Sequence, residues 1–260
     1  MKSYNKWFRT FKSNPKAQIR LFCFHHSGGS ASSYYRWVEH LSPSIELTAI
    51  QFPGREDRFS EPFINRLEDI ISQLSEGFNA HKDKPFFVFG HSLGALVGFE
   101  FVNAIRQHYS IIPRYLVVSA ARAPHLIYKR PSLSQLDDES LTKKLKEYNG
   151  IDQNIINNDD LLSLFLPIIR NDFQLLEDYK YKSSEPLLCD ILALSGSDDQ
   201  TVNCEDIHAW SSYTKNNFHY LSFSGKHFFL KNHQPTILQI INQIGESKFK
   251  GEVERHCSEG

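Results

Sequence analysis

The chain has 260 residues, of which 40% are hydrophobic, with 29 Lys and Arg against 30 Asp and Glu. This composition provides a well-buried core and excludes a disordered chain, and the length fits one large α/β domain. The formal net charge of -1 leaves no overall basic balance, which argues against nucleic acid as a partner.

A basic N-terminal arm is the first feature along the chain. Between Met1 and Val38 there is no acidic residue, and the basic ones are Lys2, Lys6, Arg9, Lys12, Lys16, Arg20 and Arg36. Such a run of charge is most often a solvated face. The alternative is that the arm attracts an acidic partner.

Six short apolar runs predict strands, at 19–24, 45–52, 85–89, 115–119, 190–194 and 218–223. Most are continuously apolar rather than alternating, as expected for strands that are covered on both faces. Helix-compatible stretches lie between them, at 32–41, 65–78, 93–108, 205–214 and 235–245. Strands that alternate with helices predict an α/β fold, with a mainly parallel sheet and helices on both faces.

The interval between the fourth and fifth predicted strands is much longer than a crossover requires. It has about 70 residues, where a dozen or so suffice. Its second half has apolar residues at helical spacing, although Pro167 predicts a kink or an interruption: Leu162, Leu166, Ile169, Phe173 and Leu176. We expect one domain over 1–260, with a helical lid inserted at about 125–186 and a mobile C-terminal tail at 247–260. A plain packing subdomain would show the same pattern.

The segment after the third predicted strand carries the first chemical motif. Gly90-His91-Ser92-Leu93-Gly94 matches Gly-x-Ser-x-Gly and lies between a strand and an amphipathic helix, the setting that a nucleophile elbow requires. Glycine on either side allows a tight turn, and the positive end of the helix dipole lies beside the serine. The setting, more than the motif itself, makes Ser92 a candidate nucleophile.

A serine hydroxyl becomes nucleophilic at neutral pH when a histidine takes its proton and a carboxylate orients that histidine. Asp198 and Asp199 follow the fifth predicted strand, and His227 follows the sixth. Both positions lie at the carboxyl ends of strands, where the active sites of parallel sheets assemble. The order Ser92, Asp199, His227 is the one that the α/β-hydrolase fold uses, but spacing alone leaves Asp198 open.

An oxyanion hole needs a second backbone N–H besides that of Leu93. The glycine-rich loop Phe24-His25-His26-Ser27-Gly28-Gly29-Ser30 follows the first predicted strand, so that Ser27 is the candidate donor. Nucleotide binding is the alternative for such a loop. It is disfavoured because the Gly-Lys-Ser/Thr ending of a P-loop and the three-glycine dinucleotide fingerprint are both missing.

Other classes of site are not indicated, and we predict neither a cofactor nor a metal. The four cysteines include no Cys-x-x-Cys pair, which argues against a zinc site. No segment approaches the roughly 18 consecutive apolar residues that span a bilayer, and no apolar signal region follows the N-terminus. We therefore predict a cytoplasmic protein with no membrane partner.

Five motifs together resemble a type II thioesterase, one of the stand-alone α/β-hydrolase thioesterases that accompany nonribosomal peptide and polyketide synthases. They are Phe-Cys-Phe-His-His-Ser-Gly-Gly at 22–29, Phe-Pro-Gly-Arg-Glu-Asp-Arg at 52–58, the motif around Ser92, Ser-Ala-Ala-Arg-Ala-Pro-His at 119–125 and Gly-Lys-His-Phe-Phe-Leu at 225–230. The similarity runs from about residue 5 to residue 245. Pro-Gly-Arg-Glu and Arg-Ala-Pro-His are more specific than the serine motif.

The resemblance implies hydrolysis of acyl or aminoacyl thioesters on the phosphopantetheine arm of acyl- or peptidyl-carrier domains, which clears stalled synthases. It assigns Ser92, Asp199 and His227 to a catalytic triad, and the backbone of Leu93 and Ser27 to the oxyanion hole. The family usually has Pro at 25 and Ala at 27. A backbone donor tolerates Ser27, whereas loss of the proline predicts a looser loop. We expect a monomer.

Three alternatives stay open at this point. A medium-chain acyl-carrier-protein thioesterase that terminates fatty acyl chains shares the chemistry and differs in chain-length preference. An oxygen-ester hydrolase differs in its rates on matched ester and thioester substrates. A non-catalytic carrier-binding module would keep the fold but would fail to react with a fluorophosphonate at Ser92.

Overall fold

The computed structural model describes residues 6–129, 132–148 and 153–249. In these ranges seven strands form one sheet, in the order β1-β3-β2-β4-β5-β6-β7. The strands are β1 Phe8–Arg9, β2 Ile19–Phe24, β3 Ile45–Ile50, β4 Phe86–His91, β5 Tyr115–Ser119, β6 Asp190–Gly196 and β7 Phe218–Phe223. Strand β1 is antiparallel to β3, and all other neighbouring strands are parallel.

The six predicted strands are all present. Every residue of β2, β3 and β4 is buried, which explains why their sequences are mostly apolar, and the buried charges of Arg20 and Glu46 pair with each other. Strand β1 was not predicted, because two residues are too few for a periodic pattern. The α/β fold with a mainly parallel sheet is confirmed.

The α-helices are α1 Leu67–Phe78, α2 Leu93–Tyr109, α3 Asp138–Glu147, α4 Gln153–Ile156, α5 Asp159–Glu177, α6 Cys204–His208 and α7 Leu230–Gly245. Residues of α1, α2, α5 and α6 pack into the larger core on one face of the sheet. Residues of α7 and of the 3₁₀ helix Ala31–Glu39 pack into the core on the other face. Helices therefore cover both faces of the sheet, as predicted.

Two predicted α-helices contain 3₁₀ helix instead. Residues 31–39 are 3₁₀, and their buried side chains Ala31, Tyr34 and Trp37 are three residues apart, which is one turn of that helix. The stretch predicted at 205–214 divides into α6 and the 3₁₀ helix Ala209–Tyr213. Helix α7 begins before the predicted Pro235, and its backbone leaves helical geometry at His233.

The long interval between β5 and β6 contains the 3₁₀ helix Pro124–Lys129 followed by α3, α4 and α5. We call residues 124–187 the insertion. Helix α5 continues through Pro167, so that the predicted interruption is wrong. Pro167 has no N–H to donate to the carbonyl of Ser163, one helical turn earlier. Both residues are exposed, so water can satisfy that carbonyl.

Part of the basic N-terminal arm is neutralised within the fold. Lys6 pairs with Glu61 at 2.9 Å, and Arg9 pairs with Asp57. Arg20 is 4% exposed and pairs with Glu46 at 2.6 Å and with Asp83 at 2.7 Å. These three side chains therefore serve intramolecular contacts. Lys2, and the predicted tail from residue 250 onward, lie outside the described residues.

A membrane-spanning helix is absent from the described ranges, where no helix is both long and apolar enough to cross a bilayer. The same ranges hold no group of three or more His, Cys, Asp or Glu side chains arranged to bind a metal ion.

Candidate active site

Ser92 lies at the junction of β4 and α2, with φ 55° and ψ -116°. This positive φ is strained for a residue with a side chain, and such strain is concentrated at functional turns. A Cβ at Gly90 would overlap the carbonyl of Gly94, and a Cβ at Gly94 would overlap the carbonyl of Phe24. Both glycines of the motif are therefore required by close backbone approach, as a nucleophile elbow demands.

The structure brings Ser92, His227 and Asp199 into one hydrogen-bonded chain. The distance from His227 Nε2 to Ser92 Oγ is 3.0 Å, and that from His227 Nδ1 to Asp199 Oδ2 is 2.7 Å. Ser92 is 6% exposed and His227 is 7% exposed, so the pair is largely shielded yet borders a cavity. This is the geometry in which a histidine can accept the serine proton.

Asp199, rather than Asp198, contacts the histidine. The Asp198 side chain is exposed, and its Oδ2 accepts the backbone N–H of Gly225 at 3.2 Å. The Asp199 carboxylate is 1% exposed and lies against the imidazole. The geometry thus favours the second aspartate of the pair, which spacing alone had left undecided.

Thr201 is a neighbour of the triad that the sequence analysis did not identify. Its N–H and its hydroxyl donate to Asp199 Oδ1 at 2.8 and 2.7 Å, and its Oγ1 lies 2.9 Å from His227 Nδ1. Burial by itself raises the pKa of Asp199, but the hydrogen bonds from His227 and Thr201 outweigh it and leave that pKa below its usual value. The sequence Asp199-Gln200-Thr201 could have indicated this neighbour, because the Asp side chain in such a turn accepts hydrogen bonds from the residue two positions later.

The predicted oxyanion donors lie on two segments that touch each other. Ser27 and Ser92 line the same cavity, and the start of α2 packs against the backbone of residues 24 and 25 through Gly94. In the described part of the chain, the N–H groups of Ser27 and Leu93 donate to no protein acceptor. Both amides are therefore available to a substrate oxygen, although their role stays a prediction.

We call residues 24–30 the oxyanion loop, and its histidines tie it together. His25 Nδ1 donates to the carbonyl of His26, and His26 Nδ1 donates to that of Ser27, each at 2.9 Å. Burial is the main cause that lowers the pKa of His25 to about 3 and that of His26 to about 4. These neutral rings restrain the loop through two local hydrogen bonds to its own carbonyls.

His91 precedes the serine and is also a buried neutral histidine. Its Nδ1 lies 3.0 Å from Ser119 Oγ on the adjacent strand, and the N–H of Ser92 donates to the carbonyl of Ser119 at 2.8 Å. Burial, and then the electrostatic interaction with His227, lower the pKa of His91. The elbow is thereby fixed to β5.

A cavity opens at Ser92 between the sheet edge and the insertion. The side chains from the insertion are mostly apolar: Leu133, Leu145, Tyr148, Phe173, Leu176 and Glu177. Glu177 accepts the N–H groups of Leu133 at 2.6 Å and of Ser134 at 2.9 Å, and so fixes this segment to α5. The insertion therefore forms the apolar wall of the cavity.

Arg122, from the Arg-Ala-Pro-His motif, is a polar cavity residue whose place the sequence did not predict. Its Nε donates to Asp206 at 2.9 Å, and its buried Nη1 has no hydrogen-bond partner in the described part of the protein. That N–H is available to an oxygen of a bound molecule.

A model of the thioesterase domain family matches residues 19–244 of the chain. The chain is 35% identical to linear gramicidin dehydrogenase LgrE of Brevibacillus parabrevis, over 96% of each chain. It is 36% identical to gramicidin S biosynthesis protein GrsT of Aneurinibacillus migulanus, over 87% of this chain and 88% of that protein. The name of LgrE includes dehydrogenase, whereas the oxyanion loop here lacks a dinucleotide fingerprint.

A solved structure supports the same relationship. The type II thioesterase BorB from the borrelidin biosynthetic cluster superposes with a TM-score of 0.85 at 33% identity, over 92% of this chain and 98% of that one. The family match covers the elbow, the aspartate and the histidine in one α/β-hydrolase fold. The chain therefore belongs to the thioesterase family, whose members are serine hydrolases acting on thioesters, and it is similar over most of its length to type II thioesterases.

Proposed function

We propose that this protein hydrolyses acyl or aminoacyl thioesters on the phosphopantetheine arm of carrier domains, as an editing enzyme of a nonribosomal peptide or polyketide synthase. The observation that carries the proposal is the hydrogen-bonded chain of Ser92, His227 and Asp199 at the floor of an apolar cavity. The partners would be acyl- or peptidyl-carrier domains. A cytoplasmic location and a monomeric state stay predictions.

In the proposed mechanism, His227 Nε2 takes the proton of Ser92 as Oγ attacks the thioester carbonyl carbon. Asp199 accepts a hydrogen bond from Nδ1–H of His227, which keeps the proton on Nδ1 and the lone pair of Nε2 directed at the serine. The imidazolium then gives its proton to the departing pantetheine sulfur. Water, deprotonated by the same histidine, then attacks the acyl carbon, and the imidazolium returns that proton to Ser92 Oγ as the bond to the acid breaks.

The oxyanion that forms in both steps would be stabilised by the N–H groups of Leu93 and Ser27. Leu93 is the first residue of α2, so that its amide also carries the positive end of the helix dipole. Loss of one such donor typically costs on the order of 3–4 kcal/mol of transition-state stabilisation. The two amides are thus expected to contribute to kcat more than to KM.

The insertion would act as a lid that covers the acyl group. This part of the proposal is supported by the apolar wall of Leu145, Phe173 and Leu176, which lines the same cavity as Ser92. An apolar wall suits an acyl chain, whose burial contributes about 0.8 kcal/mol per methylene. A single domain that carries this lid is likewise part of the proposal.

Docking through the basic arm is not part of the proposal, because Lys6, Arg9 and Arg20 are already paired with carboxylates. Neutralising Arg9 or Arg20 would therefore remove an intramolecular ion pair as well as alter any encounter with a carrier domain.

The test is intact-mass analysis of a panel of acyl-loaded carrier proteins before and after exposure to the enzyme. We expect loss of the acyl mass and appearance of the free phosphopantetheine form, with short or aberrant acyl groups removed. Release confined to medium-length fatty acyl groups would favour the chain-terminating alternative. Faster turnover of an oxygen ester than of its matched thioester would overturn the proposal, as would the absence of any turnover.

A further inference from the structure

The Pro-Gly-Arg-Glu motif lies outside the triad, yet its arginine reaches the oxyanion loop. Arg55 follows β3 and is only 3% exposed. Its Nη1 donates to the carbonyl of Gly29 at 3.0 Å. A buried guanidinium requires a carboxylate partner, because an unpaired charge is costly to bury.

The partner is Asp172, which comes from α5 of the insertion. The Nη1 and Nη2 atoms of Arg55 each lie 2.8 Å from a different oxygen of this carboxylate, the bidentate arrangement that makes such pairs strong and directional. Asp172 is fully buried, and its Oδ2 also accepts the N–H of Gly28 at 2.7 Å. The ion pair thus holds both the N–H of Gly28 and the carbonyl of Gly29.

These two glycines belong to the turn that carries Ser27. The N–H of Gly29 donates to the carbonyl of His26 at 2.9 Å, and Gly28 has φ +75°, as the third position of a type II turn requires. A Cβ at Gly28 would lie 2.7 Å from Ile169 Cγ1, so the turn is in direct contact with α5. Rotation of the turn would break its contacts with α5.

We propose that Arg55 and Asp172 are positioning residues for the oxyanion hole, which hold the Ser27 amide in place by fixing the turn that contains it. The proposal rests on the hydrolase function proposed above. Neither side chain touches the reacting atoms, since both act through the backbone of Gly28 and Gly29. The ion pair also makes α5 part of the catalytic edge, so that one insertion residue affects chemistry as well as binding.

The test compares kcat and KM of the wild-type chain and the Asp172→Asn variant on one acyl-carrier thioester. Titration of active sites with a fluorophosphonate, carried to completion, corrects for any unfolded fraction. We expect kcat per titrated site to fall about 10- to 100-fold. Removal of an oxyanion donor lowers kcat about 10²- to 10³-fold, and displacement of a donor should lower it by that amount or less. KM is expected to change less than about threefold.

The double variant Arg55→Gln/Asp172→Asn separates positioning from folding. It leaves no unpaired buried charge, so we expect its Tm to exceed that of Asp172→Asn while its kcat stays low. If Asp172→Asn does not fold, the double variant is compared with the wild type directly. Arg55→Lys keeps the charge without the bidentate geometry and is expected to retain an intermediate kcat.

The matched control is Asp138→Asn, which breaks an exposed ion pair between α3 and Arg170 of α5 and is expected to keep wild-type kcat. Wild-type kcat in Asp172→Asn, or recovery of kcat together with Tm in the double variant, would overturn the positioning role. A wild-type chain that hydrolyses no thioester would instead overturn the proposed function.

Discussion

The carboxyl edge of the sheet and the insertion border the same cavity, but they are built differently. At the edge, Ser92, Asp199 and His227 each follow a strand whose register is fixed by neighbouring strands. In its described residues the insertion adds no strand to the sheet, and α5 is attached to the oxyanion loop through a side chain, that of Asp172. Backbone topology therefore places the catalytic residues, whereas side-chain contacts determine the shape of the cavity.

Substitution of Ser92 should give the largest loss of kcat. It should also distinguish most clearly the chemistry at the sheet edge from binding under the insertion. Ser92→Ala is expected to lower kcat about 10⁶-fold, as removal of a triad nucleophile does elsewhere, while binding of the carrier substrate is retained. Steady-state hydrolysis of an acyl-carrier thioester measures the loss. Turnover within tenfold of the wild type would show that the sheet edge does not carry the chemistry.

The two adjacent aspartates provide the next test. Asp199→Asn should lower kcat about 10⁴-fold, because the amide no longer holds His227 in the tautomer that accepts the serine proton. Asp198→Asn is the matched variant one residue away, and we expect it to stay within about threefold of the wild type, since its carboxylate contacts a backbone N–H. Equal losses in the two variants would contradict the assignment.

Acid should destabilise the folded protein through His25 of the oxyanion loop, which lies between the sheet edge and the insertion. His25 has a folded-state pKa of about 3, against about 6.5 in the unfolded chain, so the unfolded state binds the proton and stability falls as pH drops below about 6.5. Between pH 7 and pH 5 this one residue should account for about 2 kcal/mol of the free energy of unfolding.

Urea unfolding of His25→Asn at both pH values measures this contribution, because asparagine does not titrate. We expect a smaller loss of stability between pH 7 and pH 5 than in the wild type. His40→Asn, at an exposed site, should leave the wild-type loss unchanged. Identical losses in His25→Asn and the wild type would show that His25 is not held neutral by burial.

The smallest effect is expected from the apolar wall. Phe173→Ala should lower kcat/KM for a long-chain acyl thioester about tenfold and leave acetyl turnover nearly unchanged, because the lost contact is with the distal chain. Leu161→Ala, on the exposed face of the same helix, is the matched control. A uniform loss on both substrates would mean that Phe173 supports the catalytic edge rather than the lid.

Much of the sheet edge could be predicted, because short apolar runs indicate buried strands and the glycines around Ser92 indicate a nucleophile elbow. The arrangement of the insertion could not, because helical periodicity does not specify which helix contacts which loop. Asp172 interrupts the apolar stripe between Ile168 and Leu176, and a carboxylate at a buried helical position implies a partner. The sequence alone does not reveal that this partner is Arg55.

The most direct test of nucleophilic catalysis by Ser92 is detection of the acyl-serine intermediate. The wild-type chain is mixed with an acyl-carrier thioester, quenched within milliseconds, digested and examined by mass spectrometry. We predict the acyl mass on the peptide that contains Ser92, with its decay matching release of the free acid, and no adduct on that peptide in the Ser92→Ala variant. An acyl group found on a different side chain, or acid released by Ser92→Ala at the wild-type rate, would show that Ser92 is not the nucleophile.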